Sequence, residues 1–472
     1  MNDHVTRPLP DPGHWVDRLL LQGPGPGICL RFGAPLDRTG LRIEVQRRQR
    51  QLHDAGLRPG GTAALRLPPS PALVTVLLAA WRTGAQVSLL DHRLTDTETA
   101  RALEHLAPQV LVHSGAAPAG PALRGYTDPE PLFTARPGGR PAQGPQCLVQ
   151  LSSGSTGPAK AIARTAGDLE AELDRFSRLP QFPGPGSRVV LLSSMVHVLG
   201  LVGGLLHALH SRAELVLPDR LTASSILDAV RAGPRPTTVI GVPFHAELLA
   251  AVADPPPTPM LERMIVAGEP VRPAVPAAFT ARYGVPLGTM YGMTETGVIA
   301  TDLDGALRPA HRPVHGMRLR VVDGELWIGA SRSPYLGAGD PQRWSDGWLR
   351  TRDAAELDPD GGRLTVLGRR DSQVSIGGLK VDLTEVELAL RAVPGVREAV
   401  VVFDRGAIEG YVALDEGTDA RQVRAELGIG FAAYKLPRRL RVLPVLPRTD
   451  TGKLLRAAPV LRAAADRHSP TR

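Results

Sequence analysis

Short apolar runs of strand length alternate with capped helical segments over the first three hundred residues, and this restricts the chain to helix-covered, mostly parallel sheets. A helix is predicted over Asp37 to Ala55, closed by Gly56, then a strand over Ala63 to Leu67. Ser70 reads as the N-cap of the next helix and Pro71 as its first residue, with Leu73, Val74, Val76, Leu77, Leu78 and Trp81 on its apolar side and Gly84 at the exit. A strand over Val87 to Leu90 precedes Thr95-Asp96-Thr97-Glu98, a capping box, and Val110 to Val112 follows as a strand. The series resumes with strands Val189 to Leu192, Thr237 to Val242, Met264 to Val266 and Pro286 to Met290, and a helix over Gly203 to His210. Polar and glycine-bearing residues collect at the ends of these runs: His197, His245, Gly268-Glu269 and Tyr291-Gly292-Met293-Thr294-Glu295-Thr296. In open α/β sheets ligands bind beyond the carboxyl ends of strands.

One such end stands out. The buried-strand run Cys147 to Leu151 leads into Ser152-Ser153-Gly154-Ser155-Thr156-Gly157-Pro158-Ala159-Lys160. Glycines permit unusual backbone angles, hydroxyls and exposed N–H groups donate hydrogen bonds, and a lysine adds a point charge, so the segment can cradle phosphate. It is no Walker A loop, because the glycine spacing is wrong and Ala161 stands where the metal-binding hydroxyl would be. On composition alone, a Ser/Gly surface loop is the competing reading. Of 55 basic residues only Lys160, Lys380, Lys435 and Lys453 are lysines. A chain that otherwise uses arginine for surface charge keeps lysine where a compact ammonium is wanted. The next helix is predicted to open at Thr165-Ala166-Gly167-Asp168.

From about Leu303 the pattern changes to short strands and turns over Arg318 to Val322, Glu325 to Ile328 and Leu364 to Leu367, with Asp323-Gly324 as a hairpin turn. After Gly368-Arg369-Arg370-Asp371 comes a compact α+β unit: helix Leu383 to Ala392, strands Ala399 to Phe403 and Gly410 to Leu414, helix Ala420 to Leu427, and a terminal helix over Leu454 to Ala465. At 472 residues more than one domain is expected. The division is placed at 1–369 and 370–472. A formal charge of +8 raises the possibility of a nucleic-acid partner, but the arginines are spread along the whole chain, which favours a solvated surface. Two cysteines, no signal pattern and no uninterrupted apolar span point to a cytoplasmic protein with no membrane segment.

Five segments in order, Ser152 to Lys160, Tyr291 to Glu295, Trp348 to Asp353, Gly368 to Asp371 and Pro447 to Arg456, resemble the adenylate-forming superfamily of acyl-CoA synthetases, peptide-synthetase adenylation domains and luciferases. The resemblance implies a large α/β domain with a small β-rich subdomain and a small mobile α+β carboxy-terminal domain. It implies use of ATP and Mg²⁺ to make an acyl-adenylate from a small carboxylic acid, then transfer to the thiol of CoA or of a pantetheinylated carrier protein. Ser152, Ser153, Gly154, Ser155, Thr156, Gly157 and Lys160 fit the phosphate loop. Thr294 matches an α-phosphate contact and Glu295 a Mg²⁺ ligand, with Gly268, Glu269 and Gly292 also at nucleotide-site positions. Tyr291 matches the adenine-stacking aromatic, Asp353 and Arg369 the ribose contacts, and Lys453 the lysine bridging acid and α-phosphate. Asp371 falls at the hinge, and Gly377 and Gly378 at the pantetheine channel. Each has a plain structural reading too. Thr294-Glu295 could open a helix, where an acid is stabilised anyway. Tyr291 could be core, Asp353 a turn residue, Lys453 a solvated lysine, and His197 either a pocket residue or a buried core group.

Pocket positions by the same resemblance are His197, Val198, Val242, Ala267, Gly268, Met290 and Met293. Amino-acid-activating relatives carry an aspartate where Val198 stands; without it an α-ammonium would be desolvated unpaired. An aryl or short-to-medium aliphatic acid is expected. Ser372, Ser375 and Arg352 depart from the family pattern, as does the shortened segment around Tyr335 with Pro334 in place of glycine. A carrier protein or an amine as acceptor, and a non-catalytic nucleotide-binding protein on the same fold, stay open at this point.

Overall fold

The computed structural model describes residues 14–23, 27–115, 125–152, 160–337, 342–448 and 454–468. The chain forms two compact units, one of Met1–His92, Leu106–Leu151 and Ala161–Leu367, the other of Arg93–His105, Ser152–Lys160 and Gly368–Arg472.

The first unit is built on two large sheets. In the nine-stranded one, Leu287–Met293, Leu261–Ala267, Thr237–Gly241, Arg188–Leu191, Glu214–Leu217 and Ile28–Phe32 lie side by side and parallel. Antiparallel strands border the parallel array: Gly297–Asp302 on one side, Ala34–Asp37 on the other. The six-stranded sheet runs Leu132–Ala135, Val110–His113, Thr62–Arg66, Gln86–Leu89, Gln146–Ser152, Lys160–Thr165. Helix Pro71–Arg82 is buried from Ala72 to Trp81, as its all-round apolar sequence requires. Its start follows the predicted chemistry, with the Leu73 N–H donating to Ser70 Oγ at 3.0 Å. In the second unit, the predicted capping box at Thr95–Glu98 forms as well, the two N–H groups and side chains bonding reciprocally. Asp323 and Gly324 both adopt positive φ, and Val322 pairs with Glu325 across that two-residue turn in a third, smaller sheet.

The second unit packs helices Leu383–Ala392 and Ala420–Gly430 over strands Val396–Asp404, Ala407–Leu414 and Arg439–Val442. Lys435, one of the four lysines, is buried in this unit and donates to Glu98 Oε1 at 2.8 Å. Among the described residues no helix is long and apolar enough to cross a membrane.

Among the element boundaries that differ from the sequence expectation, two have a clear local cause. The last helix is Ala458–His468 and not Leu454 to Ala465; Leu454 instead bridges Arg448. Pro459 explains the late start, since proline fits only the first turn of a helix. The segment predicted as a helix over Gly203 to His210 begins earlier, as π-helical turns over Leu199–Leu206 that pass into α-helix at His207–Ser211. Three glycines in those turns weaken the preference for α winding, and a Cβ on Gly200 would lie 2.2 Å from the Ser194 carbonyl oxygen.

His207 ends up fully buried against the stacked rings of Phe176 and Phe182, with Nε2 donating to Pro183 O at 2.7 Å. Burial pushes its pKa down to about 4, and burial does the same to His245. The unfolded chain takes up these protons near pH 6.5, whereas the folded chain takes them up only near pH 4. Stability is therefore complete above pH 6.5 and is lost as pH falls toward 4. Replacement His207→Gln is expected to remove about 2 kcal/mol of the stability difference between pH 7 and pH 5. Urea unfolding at the two pH values measures it.

Candidate active site

Strand Leu287–Met293 does not stop at Met290 as predicted but runs through Tyr291, Gly292 and Met293. Gly297–Asp302 pairs back on it, Met293 opposite Gly297 and Gly292 opposite Val298. Thr294-Glu295-Thr296 is therefore the tip of a hairpin and no helix start. The helix-dipole explanation of Glu295 falls away, because no helix follows it. Gly297, at φ +78°, completes the turn, and a Cβ there would lie 2.2 Å from the Glu172 carboxylate.

The Glu295 carboxylate is held from the small β-rich region. Tyr335 donates its hydroxyl to Oε1 at 3.1 Å, and Arg343 Nη2 stands 3.4 Å from the same oxygen. Both partners are buried. The Tyr335 phenol is pushed well above its ordinary range, first by burial and then by the charge of Glu295. Neither residue was singled out as functional from sequence; the only signal was irregularity around Tyr335. Pro334 sits there without conflict, since the segment uses its carbonyl, which accepts from the Ala163 N–H at 2.7 Å, and Leu336 donates to Ala161 O. These bonds bring Tyr335 alongside Ile162 in strand Lys160–Thr165.

Within strand Leu287–Met293, Tyr291 donates its hydroxyl to Asp353 Oδ2 at 2.5 Å. Asp353 lies on the buried side of strand Trp348–Leu357, so it is not a turn residue. The residue before it, Arg352, has φ +60°, and its N–H donates to Glu325 Oε1 at 2.9 Å. That left-handed backbone accounts for the glycine usual at this place in the family, and makes arginine a strained substitute.

The chemistry of the donor set fits a hard cation delivered with phosphates. Thr294 and Glu295 offer oxygen ligands only, and Thr296 Oγ1 is buried with no partner among the described residues. No group of three or more His, Cys, Asp or Glu that could hold a metal unaided occurs among the described residues. One carboxylate is what such a phosphate-bound cation ordinarily takes from the protein.

The pocket positions are partly assembled. Ala267 and Met290 are direct neighbours in register and share one buried cluster, against which Val198 packs. Val242 is buried, its N–H donating to His245 Nδ1, while Gly268 is exposed at φ +96° and Glu269 half-buried. Met293 turns instead to the clusters around Ile299 and Tyr335. His197 is 39% exposed, with Nε2 3.9 Å from the buried Asp91 carboxylate, so it is no packed core group.

In the second unit, Arg369 clasps both oxygens of Asp371 through Nε and Nη2, at 2.9 and 2.5 Å. Gly377 and Gly378, at φ +56° and +81°, form the two-residue turn between Gln373–Ile376 and Leu379–Asp382. That turn type by itself demands residues tolerant of positive φ. Lys160 opens strand Lys160–Thr165, half-buried. Ser152 closes strand Gln146–Ser152. Ser153, Gly154, Ser155, Thr156, Gly157 and Lys453 lie outside the described residues.

Arg352→Gly and Arg352→Ala both discard the guanidinium, yet the glycine variant is expected to be the more stable by about 1 kcal/mol. Chemical denaturation of the pair reads this directly, and equal midpoints would mean that position 352 does not hold a positive φ in solution.

The family model "AMP-binding enzyme" matches residues 40–328, and the model "AMP-binding enzyme C-terminal domain" matches residues 385–453. The p-hydroxybenzoic acid–AMP ligase FadD22 of Mycobacterium tuberculosis is 29% identical over 86% of the chain, which spans 62% of that protein's length. A probable 2-succinylbenzoate–CoA ligase of the same organism is 31% identical over 68% of the chain and 85% of its own length. In fold, the chain resembles a double mutant of o-succinylbenzoate CoA synthetase from Bacillus subtilis, with a TM-score of 0.79 at 22% identity, covering 96% of this chain and 98% of the other. The hairpin, the Tyr291–Asp353 pair and both family models point one way: the chain belongs to the AMP-binding enzyme family, within the adenylate-forming superfamily.

Proposed function

We propose that the chain activates a small carboxylic acid with ATP and passes the acyl group to the thiol of CoA. In the first half-reaction a carboxylate oxygen attacks the α-phosphorus, the bond to the bridging oxygen breaks, and pyrophosphate leaves. In the second, the thiol loses a proton and displaces AMP from the acyl carbon. The observation that carries this reading is the single hairpin that presents Tyr291, Thr294 and Glu295 together, tied to Asp353 at one end and to Tyr335 and Arg343 at the other.

The residue types answer the charge problem of the first step. Acid and triphosphate repel, so donors and cations have to be in place before they meet. Tyr291 would stack on adenine, Asp353 and Arg369 would take the ribose hydroxyls, and Thr294 would donate to the α-phosphate. Glu295 would hold Mg²⁺, which neutralises phosphate oxygens and supplies Lewis acidity when bound. Residues 152–160 would wrap the phosphates, and Lys453 would bridge the acid and the α-phosphate. Asp371 would serve as the hinge between the adenylating and thioester-forming arrangements. The domains for this cycle would be 1–369 and 370–472.

The apolar pocket residues Ala267, Met290 and Val198 favour an aryl or short-to-medium acid, in line with the aromatic acids in the names of two relatives. A ligase that passes the acyl group to a carrier protein or an amine is the second reading. It gains weight from Gly377 and Gly378, whose turn geometry alone requires glycine-like residues, which leaves the thiol channel with less independent support.

Acid-dependent exchange of pyrophosphate into ATP, run over a panel of aryl and aliphatic acids, tests the proposal. Lys453→Ala is expected to lower exchange by at least about a hundredfold, while thioester formation from preformed acyl-adenylate stays within about tenfold of the parent. No exchange with any acid would sink the reading, and equal losses in both half-reactions would sink the hinge.

A further inference from the structure

The hairpin that presents Thr294 and Glu295 is anchored from beneath by charges that lie outside the five segments carrying the family resemblance. Helix Ala166–Ser177 starts at a capping box in which Thr165 and Asp168 bond reciprocally, and Arg332 reaches over to both. From its inner face Glu172 accepts the Val298 N–H through Oε1 at 3.0 Å. Its other oxygen, Oε2, is 2.5 Å from Arg164 Nη2, and both side chains are at most 3% exposed. One turn along, Arg175 Nη1 donates to Thr296 O at 3.2 Å. Gly297 packs so tightly on the Glu172 carboxylate that no side chain fits between them.

A buried carboxylate and guanidinium would be a costly way merely to fill space, since apolar residues of the same volume often serve stability as well or better. What they supply here is location. Arg164 is on the strand Lys160–Thr165, directly after the Ser/Thr/Gly segment in the chain, and Ile162 of that strand bridges Tyr335, which binds Glu295. The strand thus reaches the hairpin tip twice: through Arg164 and Glu172 to the main chain at Val298, and through Tyr335 to the carboxylate of Glu295.

We propose that Glu172 is a positioning residue for nucleotide binding, fixing the Thr294–Glu295 tip through its bond to the Val298 N–H while Arg164 holds its other oxygen. The inference rests on the roles assigned to Thr294 and Glu295 above. Removing Glu172 alone leaves Arg164 buried without its partner and threatens folding, so the comparison is between two double variants without the charge pair. Arg164→Met with Glu172→Gln keeps an acceptor for Val298. Arg164→Met with Glu172→Leu does not. Each leaves one polar group unsatisfied, so their melting temperatures are expected to be similar.

Calorimetric titration with Mg²⁺–ATP is the readout, alongside melting curves. The Gln variant is expected to bind within about threefold of the parent and the Leu variant about tenfold more weakly, the size of one buried hydrogen bond to the main chain. Equal affinities for the two would overturn the inference, as would weakening that merely follows the melting temperature. A parent chain that binds Mg²⁺–ATP but performs no pyrophosphate exchange would remove the functional reading alone; one that binds no Mg²⁺–ATP would remove both.

Discussion

A change of strand direction organises the site. Leu287–Met293 is parallel to Leu261–Ala267 on one side and antiparallel to Gly297–Asp302 on the other. A parallel strand must leave its sheet by a long crossover, whereas an antiparallel pair can turn back within a few residues. The switch therefore converts what would have been a strand-to-helix connection into a short, rigid hairpin at the carboxyl end of the parallel array. Five residues on that hairpin span everything from Tyr291 to Glu295. Because both arms are hydrogen-bonded to each other, the tip is held by main chain rather than by a loop.

Across the first unit the chain uses ion pairs with at least one buried partner to set directions. Arg343 beside Glu295, Arg164 beside Glu172 and Arg31 with Arg188 beside Glu214 all link separate elements. Guanidinium suits this because its planar fork can bond in two directions at once; Arg38 reaches both Leu20 O and Leu209 O, and Arg188 reaches Val230 O and Ala229 O. Lysine is reserved, but the reservation has more than one use. Lys435 is buried against Glu98, so scarcity of lysine marks places that want a compact charge without saying whether that charge is structural or chemical.

Glycine tells a similar story. Gly297 is there because Glu172 occupies the space a side chain would need, and Gly200 because the Ser194 carbonyl does. Gly377 and Gly378 meet the dihedral demands of a hairpin. Arg352 shows the converse: a position whose backbone asks for glycine carries arginine instead. Family resemblance alone reads Gly377 and Gly378 as a ligand channel and Arg352 as a departure from pattern, whereas the backbone angles give each a local reason.

Local chemistry was legible in the linear chain. Ser70, Thr95 and Thr165 cap helices where their spacing said they would, Asp323-Gly324 turns a hairpin, and the alternation of apolar runs yields parallel sheets, because caps, turns and periodicity depend on residues a few positions apart. The motif residues Tyr291, Glu295 and Asp353 could be named for the same reason, each within a short recognisable segment. Only the tertiary structure could show that Thr294-Glu295 tips a hairpin, that Tyr335 and Arg343 hold Glu295, and that Glu172 bonds to Val298 from 126 positions away. Those pairings join elements distant in sequence, and whether a buried carboxylate meets a guanidinium or a main-chain N–H is decided by how the sheets and helices pack.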